Sequence, residues 1–82
     1  MRLRLFARAR EAAGRGTEEV DALEAPTLGD LLDGARMRYG DEFAAILDSS
    51  RIWLNGDEPS AGPATPLADG DEVAVLPPVS GG

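Results

Sequence analysis

The fold is decided near the middle of the chain, at residues 25–40, which read APTLGDLLDGARMRYG. Thr27 is a favourable N-cap residue, and Asp30 three positions later suits the positive end of a helix dipole. Gly40 is a suitable residue for the helix to end on. Apolar side chains recur at helical spacing and form one stripe: Leu28, Leu31, Leu32, Ala35 and Tyr39. The stretch therefore predicts one amphipathic helix whose apolar stripe is buried.

Patterns on both sides of this helix predict strands. The predicted elements are strands at residues 2–7, 17–23, 51–55, 57–59 and 72–76, a single helical turn at 8–13, and a short helical piece around Phe43, Ile46 and Leu47. Asn55-Gly56 is a strong signal for a hairpin turn. Strands before and after one main helix indicate an α+β protein, with a mixed sheet packed on the helix as in the β-grasp or ubiquitin-like fold. In that fold the last strand lies between the first and the third. We expect a β-grasp domain at residues 1–76 and a flexible C-terminal tail at residues 77–82.

The same strand alternation predicts a binding surface on the sheet. It places four apolar residues on the face opposite the helix: Phe6, Trp53, Ala74 and Leu76. Exposed Phe, Trp and Leu side chains next to one another are unusual in a small monomer and favour a partner-binding surface. The alternative is a face half covered by arginine stems, from Arg2, Arg4 and Arg51.

The composition excludes several classes of function. The chain has no Cys and no His, which excludes a thiol nucleophile, a disulfide framework, an imidazole base and a zinc site. The formal charge of −7 argues against nucleic acid as a partner and favours a basic protein surface, with solubility alone as the alternative. No apolar run is long enough to cross a membrane, and the first residues lack a signal-peptide layout, so we expect a cytoplasmic protein. The chain also has no Lys, the usual acceptor amine in chains of protein modifiers.

The end of the sequence predicts a chemical role for the main chain itself. Pro77 and Pro78 favour an extended run, and the last four residues are Val79, Ser80, Gly81 and Gly82. Two glycines without a Cβ can enter a tunnel too narrow for other residues. We therefore expect the Gly82 carboxylate to be the working group, presented to the active site of another protein. The alternative is an inert, frayed terminus.

Several motifs together resemble one known family. The matching segments are LFARAREAAG at residues 5–14, TLGDLL at 27–32, Asn55-Gly56, the run from Pro66 through DGDEVA at 69–74, and LPPVSGG at 76–82. They are similar to those of the molybdopterin synthase small subunit, a member of the MoaD/ThiS-type ubiquitin-like sulfur carriers. Trp53 stands where a smaller residue is typical of the family, and residues 60–64 are somewhat long.

The resemblance implies a sulfur carrier that is not an enzyme on its own. An E1-like activating enzyme would adenylate the Gly82 carboxylate with ATP, and a persulfide donor would replace AMP to leave a C-terminal thiocarboxylate. The large catalytic subunit of molybdopterin synthase would then accept the sulfur. No cofactor would be stably bound: the partner enzyme uses the ATP, and the sulfur is covalent. Arg10 matches the family's Arg-Glu position and is expected to contact an acidic group on a partner, with a solvated Arg8–Arg10 pair as the alternative.

Other functions remain compatible with the same residues. A sulfur carrier for thiazole, cysteine or a tungsten-type pterin cofactor would share the fold and the terminal glycines. A ubiquitin-like modifier would join Gly82 to amines of other proteins, and a plain binding module would leave the tail unused. The mass of the protein isolated from its native cytoplasm distinguishes these cases.

Overall fold

The computed structural model describes residues 1–78, which contain four strands, three α-helices and one 3-10 turn. The elements are β1 (Arg2–Leu5), α1 (Ala7–Ala13), β2 (Thr17–Glu19), α2 (Leu28–Tyr39), α3 (Asp41–Asp48), β3 (Arg51–Leu54), a 3-10 turn (Gly62–Ala64) and β4 (Glu72–Leu76). None of the helices in this part of the chain has the length and apolar character needed to cross a membrane.

The four strands form one mixed sheet in the order β2-β1-β4-β3. The central pair β1 and β4 is parallel and brings Leu5 beside Val75, whereas β2 and β3 pair antiparallel on the two outer sides. The last strand therefore lies between the first and the third, as predicted for a β-grasp protein. Because β1 and β4 run in the same direction, both strands end at the same edge of the sheet.

The core lies between the sheet and the helices. Its largest fully buried side chains are those of Leu3, Leu5, Leu31, Phe43, Val73 and Val75. Leu28, Leu32 and Ala35 of the predicted α2 stripe are also buried, and Tyr39 is partly buried at the end of the helix. Alternation in the strands and helical spacing in α2 thus predicted the faces that are removed from water.

The start of α2 follows from the Thr27 side chain. Thr27 Oγ1 accepts a hydrogen bond from the Asp30 backbone N–H at 3.2 Å and donates one to Asp30 Oδ2 at 2.9 Å. The cap thus satisfies one of the N–H groups that have no partner within the helix, and Asp30 lies at the positive end of the helix dipole. Gly40, with φ +90°, ends the helix.

The sequence-based strand boundaries are wrong by more than one residue in three places. Ala7 has φ +50° and begins α1 instead of ending β1, since the chain turns away from the sheet there. The second strand ends at Glu19, not at residue 23, because Asp21 Oδ1 accepts a hydrogen bond from the Leu23 N–H and closes a turn. Residues 57–59 form no strand: only Asp57 pairs, with Leu54.

Candidate partner-binding face and tail root

The sheet register brings the predicted apolar residues onto one face. Ala74 is flanked by Arg4 on β1 and by Trp53 on β3. Two residues further along β4, Leu76 lies opposite Arg51. Close to it, the Phe6 backbone N–H donates a hydrogen bond to the Val75 carbonyl oxygen at 3.3 Å. We call this surface the outer face, formed by Arg4, Phe6, Arg51, Trp53, Ala74 and Leu76.

The outer face is less exposed than the sequence suggested. Phe6, Trp53, Ala74 and Leu76 are each half-buried. The Arg4 guanidinium lies 5.1 Å from the centroid of the Phe6 ring, and its Nη1 is 3.6 Å from Glu72 Oε1. The alternative of a face covered by arginine stems is thus correct for Arg4. The surface is therefore a mixture of apolar area and positive charge.

Arg10 lies at the rim of this face. One groove is lined by Arg10 together with Phe6, Arg4 and Gly16. The Arg10 side chain lies against Gly16, where its Nε would be 3.3 Å from a Cβ placed on that glycine. A larger residue at position 16 would therefore displace the guanidinium. The structure brings Arg10 and Phe6 together, while Arg8 lies on the opposite side of α1, in a groove with Glu11 and Glu42.

The root of the tail is built into the domain. Burial alternates along β4, where Val73 and Val75 are buried. The same alternation continues one residue past the strand, since Pro77 is buried and Pro78 is exposed. Pro77 is thus held with the body, although the predicted tail starts there. The predictions for Val79, Ser80, Gly81 and Gly82 lie outside the described residues. Five extended residues from position 78 to 82 would span at most about 17 Å.

Sequence reasoning missed two polar networks that join distant segments. Glu18 Oε1 accepts hydrogen bonds from Arg38 Nη2 and from the Tyr39 hydroxyl, both at 2.8 Å, and ties β2 to the end of α2. Burial of the ring and the bond to Glu18 raise the pKa of Tyr39. In the second network, the Asn55 side-chain amide donates to Asp71 Oδ1 at 3.0 Å and lowers the pKa of Asp71. Helical spacing and turn preference relate each of these residues only to its near neighbours in the chain. No pattern in the sequence predicts the hydrogen bonds between the distant residues.

Acidic side chains within the described part of the chain do not converge on a metal site. Across residues 1–78, no three or more Asp or Glu side chains are arranged to hold a metal ion. Three open grooves lie beside α1, and each is lined by charged side chains together with small or apolar residues.

A comparison with known protein families finds a match along almost the whole chain. The sequence matches the ThiS family over residues 3–82, which includes the whole sheet except Arg2. The chain belongs to the ThiS family.

Two curated relatives of this ThiS-family chain carry different names. Small archaeal modifier protein 1 of Haloferax volcanii is 40% identical over 90 aligned residues, covering all of both chains. The molybdopterin synthase sulfur carrier subunit of Escherichia coli is 35% identical over 77 residues, covering 94% of this chain and 93% of the relative. Because the Haloferax volcanii alignment covers all of both chains, it includes the β-grasp domain and the C-terminal segment.

Solved structures agree with this assignment. The crystal structure of the Haloferax volcanii modifier superposes with a TM-score of 0.81 at 33% identity, over 99% of this chain and 97% of that one. Subunit 1 of the molybdopterin-converting factor of Helicobacter pylori, seen in complex with subunit 2, gives a TM-score of 0.65 at 28% identity, over 99% and 96%. A protein of this fold thus binds a second subunit in that complex.

Proposed function

We propose that this chain is a sulfur carrier that supplies molybdopterin biosynthesis as the small subunit of a molybdopterin synthase. The observation that carries the proposal is the ThiS-family match, which extends through the glycines to residue 82. The relationship to the Escherichia coli sulfur carrier subunit supports the pathway. On this view the chain acts in the cytoplasm and is not an enzyme on its own.

The chemistry follows from an ordinary carboxylate. At neutral pH the Gly82 α-carboxylate is anionic, because its pKa is about 3.5, and it is a poor electrophile. Its oxygen would attack the α-phosphorus of ATP in an E1-like enzyme and release pyrophosphate. The terminal sulfur of a donor's persulfide would then attack the carbonyl carbon, with AMP as the leaving group, to give an acyl disulfide with the donor. A second thiol would attack the donor's sulfur atom, forming a disulfide with it and releasing the C-terminal thiocarboxylate. ATP is thus a substrate of the partner, and the sulfur is covalently held cargo.

The folded domain would position the tail by docking on the partner's surface, outside the partner's active site. The outer face would dock on the activating enzyme and on the large subunit in turn, with Phe6, Trp53 and Leu76 as apolar anchors and Arg10 opposite an acidic group. Pro77, buried at the end of β4, would fix where the tail leaves the body. Because at most about 17 Å of chain follows, the acceptor site must lie close to the docked surface.

A second candidate function is protein modification. It is favoured by the 40% identity to small archaeal modifier protein 1 along its whole length. In that case the activated Gly82 would form an amide with a lysine of a target protein. The adenylation step and the docking surface would be the same, and only the final acceptor would differ.

Intact-mass measurement of the protein from its native cells tests the proposal. A mass increase equal to exchange of one oxygen for sulfur, located at Gly82, is the expected result. Deletion of Gly82 and the Gly81→Val variant should remove this species and sulfur transfer in a reconstituted molybdopterin synthase, with an unchanged circular dichroism spectrum. Molybdopterin formation by the Gly82 deletion would refute the carrier role. Adducts on lysines of other proteins, without a sulfur-bearing form, would establish the modifier role instead.

A further inference from the structure

The arginines of this acidic protein are unevenly distributed. Residues 1–16 contain five arginines and one acidic residue, whereas the remaining 66 residues contain three arginines and fourteen acidic residues. The net charge of −7 is therefore the sum of a basic first segment and a strongly acidic remainder. That first segment forms β1, α1 and the loop that leads into β2.

Most arginines are already paired within the domain. Arg2, Arg4, Arg36, Arg38 and Arg51 each lie within 4.0 Å of a carboxylate. The other three, Arg8, Arg10 and Arg15, have no such partner among residues 1–78, and all three are exposed. We call these three residues the arginine rim. Its cations are thus the ones that an external anion can reach without breaking an ion pair of the described domain.

Arg10 and Arg15 of the arginine rim lie on the side of α1 next to the outer face, whereas Arg8 lies on the other side of α1, so the rim flanks this helix on both sides. α1 begins at Ala7, next to the edge where β1 and β4 both end, and Phe6 contacts the Val75 carbonyl there. Arg10 and Arg15 line an open groove of about 470 Å³ that also includes Gly14 and Gly16. Glu11 also lines this groove, and Glu42 of α3 lines the other groove together with Arg8, so two carboxylates reduce the positive charge without pairing to it.

We propose that the arginine rim receives an acidic segment of the protein that accepts the tail. This inference rests on the proposed function, in which a partner docks on the outer face. It assigns to that partner a cluster of Asp or Glu side chains next to the entrance for residues 78–82. It also reverses the expectation from net charge, which favoured a basic partner. Arg8, Arg10 and Arg15 would orient the encounter, since the acidic remainder of the domain repels the same segment.

An oligoglutamate peptide is a direct probe of this surface. The peptide should bind the full chain at low salt, perturb the NMR signals of the arginine rim, and lose affinity as salt is raised. The Arg8→Gln/Arg15→Gln variant should bind about fivefold more weakly, because exposed ion pairs each contribute only modestly. Arg10 is left in place, so that its proposed contact is not tested at the same time.

The matched control changes net charge by the same amount elsewhere. Leu23 and Met37 are 92% and 87% exposed, and the Leu23→Glu/Met37→Glu variant carries the same net charge as the arginine variant. It should bind the peptide as the parent does. Equal weakening by both variants, or no binding by the parent chain, would overturn the proposal. Tighter binding of inorganic tripolyphosphate than of oligoglutamate would also overturn it, since the rim would then be a phosphate site.

The test is independent of the sulfur chemistry. If the peptide binds as expected but Gly82 never carries sulfur, the proposed function fails and the arginine rim stands. If Gly82 carries sulfur but the peptide does not distinguish the two double variants, the rim fails and the proposed function stands.

Discussion

The guanidinium carbon of Arg4 lies 5.1 Å from the centroid of the Phe6 ring. The Arg4 cation therefore covers part of the Phe6 side chain on the outer face. The same arginine reaches Glu72 on the neighbouring strand at 3.6 Å. A cation over an aromatic face is attracted by the ring's negative charge distribution, and its stem shields apolar area from water. Arg4 therefore covers part of the apolar area that Phe6 contributes to the outer face.

Changes on the outer face should weaken binding and spare folding. We expect Phe6→Glu and Leu76→Arg each to cost about 2 kcal/mol of binding free energy to the activating enzyme and to the large subunit, since they remove half-buried anchors. Isothermal titration with each purified partner measures the loss, and circular dichroism checks the fold. Met37→Glu introduces a charge at a site 87% exposed and should leave affinity unchanged. Full affinity of a folded Phe6→Glu/Leu76→Arg variant would mean that partners bind another surface.

The hydroxyl of Tyr39 should titrate above its ordinary pH range. Burial and the bond to Glu18 raise its pKa, so the stabilisation is fully present below the ordinary tyrosine pKa and is lost as pH rises through the higher folded value. Tyr39 is the single tyrosine of the chain, so phenolate absorbance follows it directly. Glu18→Gln should move the titration to lower pH.

Glu19→Gln is the control for this titration. Glu19 is on the same strand but pairs with Arg2, so its replacement should leave the Tyr39 curve in place. Identical curves for the parent and Glu18→Gln proteins would show that the Glu18 carboxylate does not hold the hydroxyl proton.

The α2 cap should contribute measurably to stability. Thr27→Ala removes the side-chain acceptor of the Asp30 N–H and should lower the free energy of unfolding by about 1 kcal/mol. Urea denaturation followed by circular dichroism measures the change. Ser60→Ala deletes a hydroxyl at an exposed loop position and should have little effect. Equal stabilities of the two variants would contradict the capping role.

Phe43 should be the most sensitive position of α3. Its side chain is fully buried, and its ring centroid lies 5.1 Å from that of Tyr39. Phe43→Ala should cost about 3–5 kcal/mol of unfolding free energy, because it leaves a cavity in a close-packed core. Met37→Ala removes a side chain of similar size from an exposed helix position and should cost little. A loss of unfolding free energy below 1 kcal/mol for Phe43→Ala, measured by thermal or urea unfolding, would mean that neighbouring core side chains fill the cavity.

Local signals account for the part of the fold that could be predicted. The Thr27 cap, the α2 stripe, the Asn55-Gly56 turn and the β4 strand all depend on residues a few positions apart, and the structure has each of them. The predicted strand at 57–59 failed because Pro59 lacks an N–H and because the Asn55 side chain bonds to Asp71 and to the Glu72 N–H, at the start of β4, and not to this segment. The polar sequence of residues 57–59 does not by itself reveal these competing hydrogen bonds.

The sequence by itself determined the element order, the buried faces and the family motif, since spacing, capping and turn chemistry act over a few residues. The tertiary structure alone decided what surrounds the tail root. The parallel β1–β4 register places Phe6 beside Val75, puts Arg4 over Phe6, and leaves Arg10 against Gly16. It also buries Pro77 and joins Glu18 to Tyr39, 21 positions along the chain. These contacts join residues that are distant in sequence, and only the closing of the sheet around the core brings them within reach.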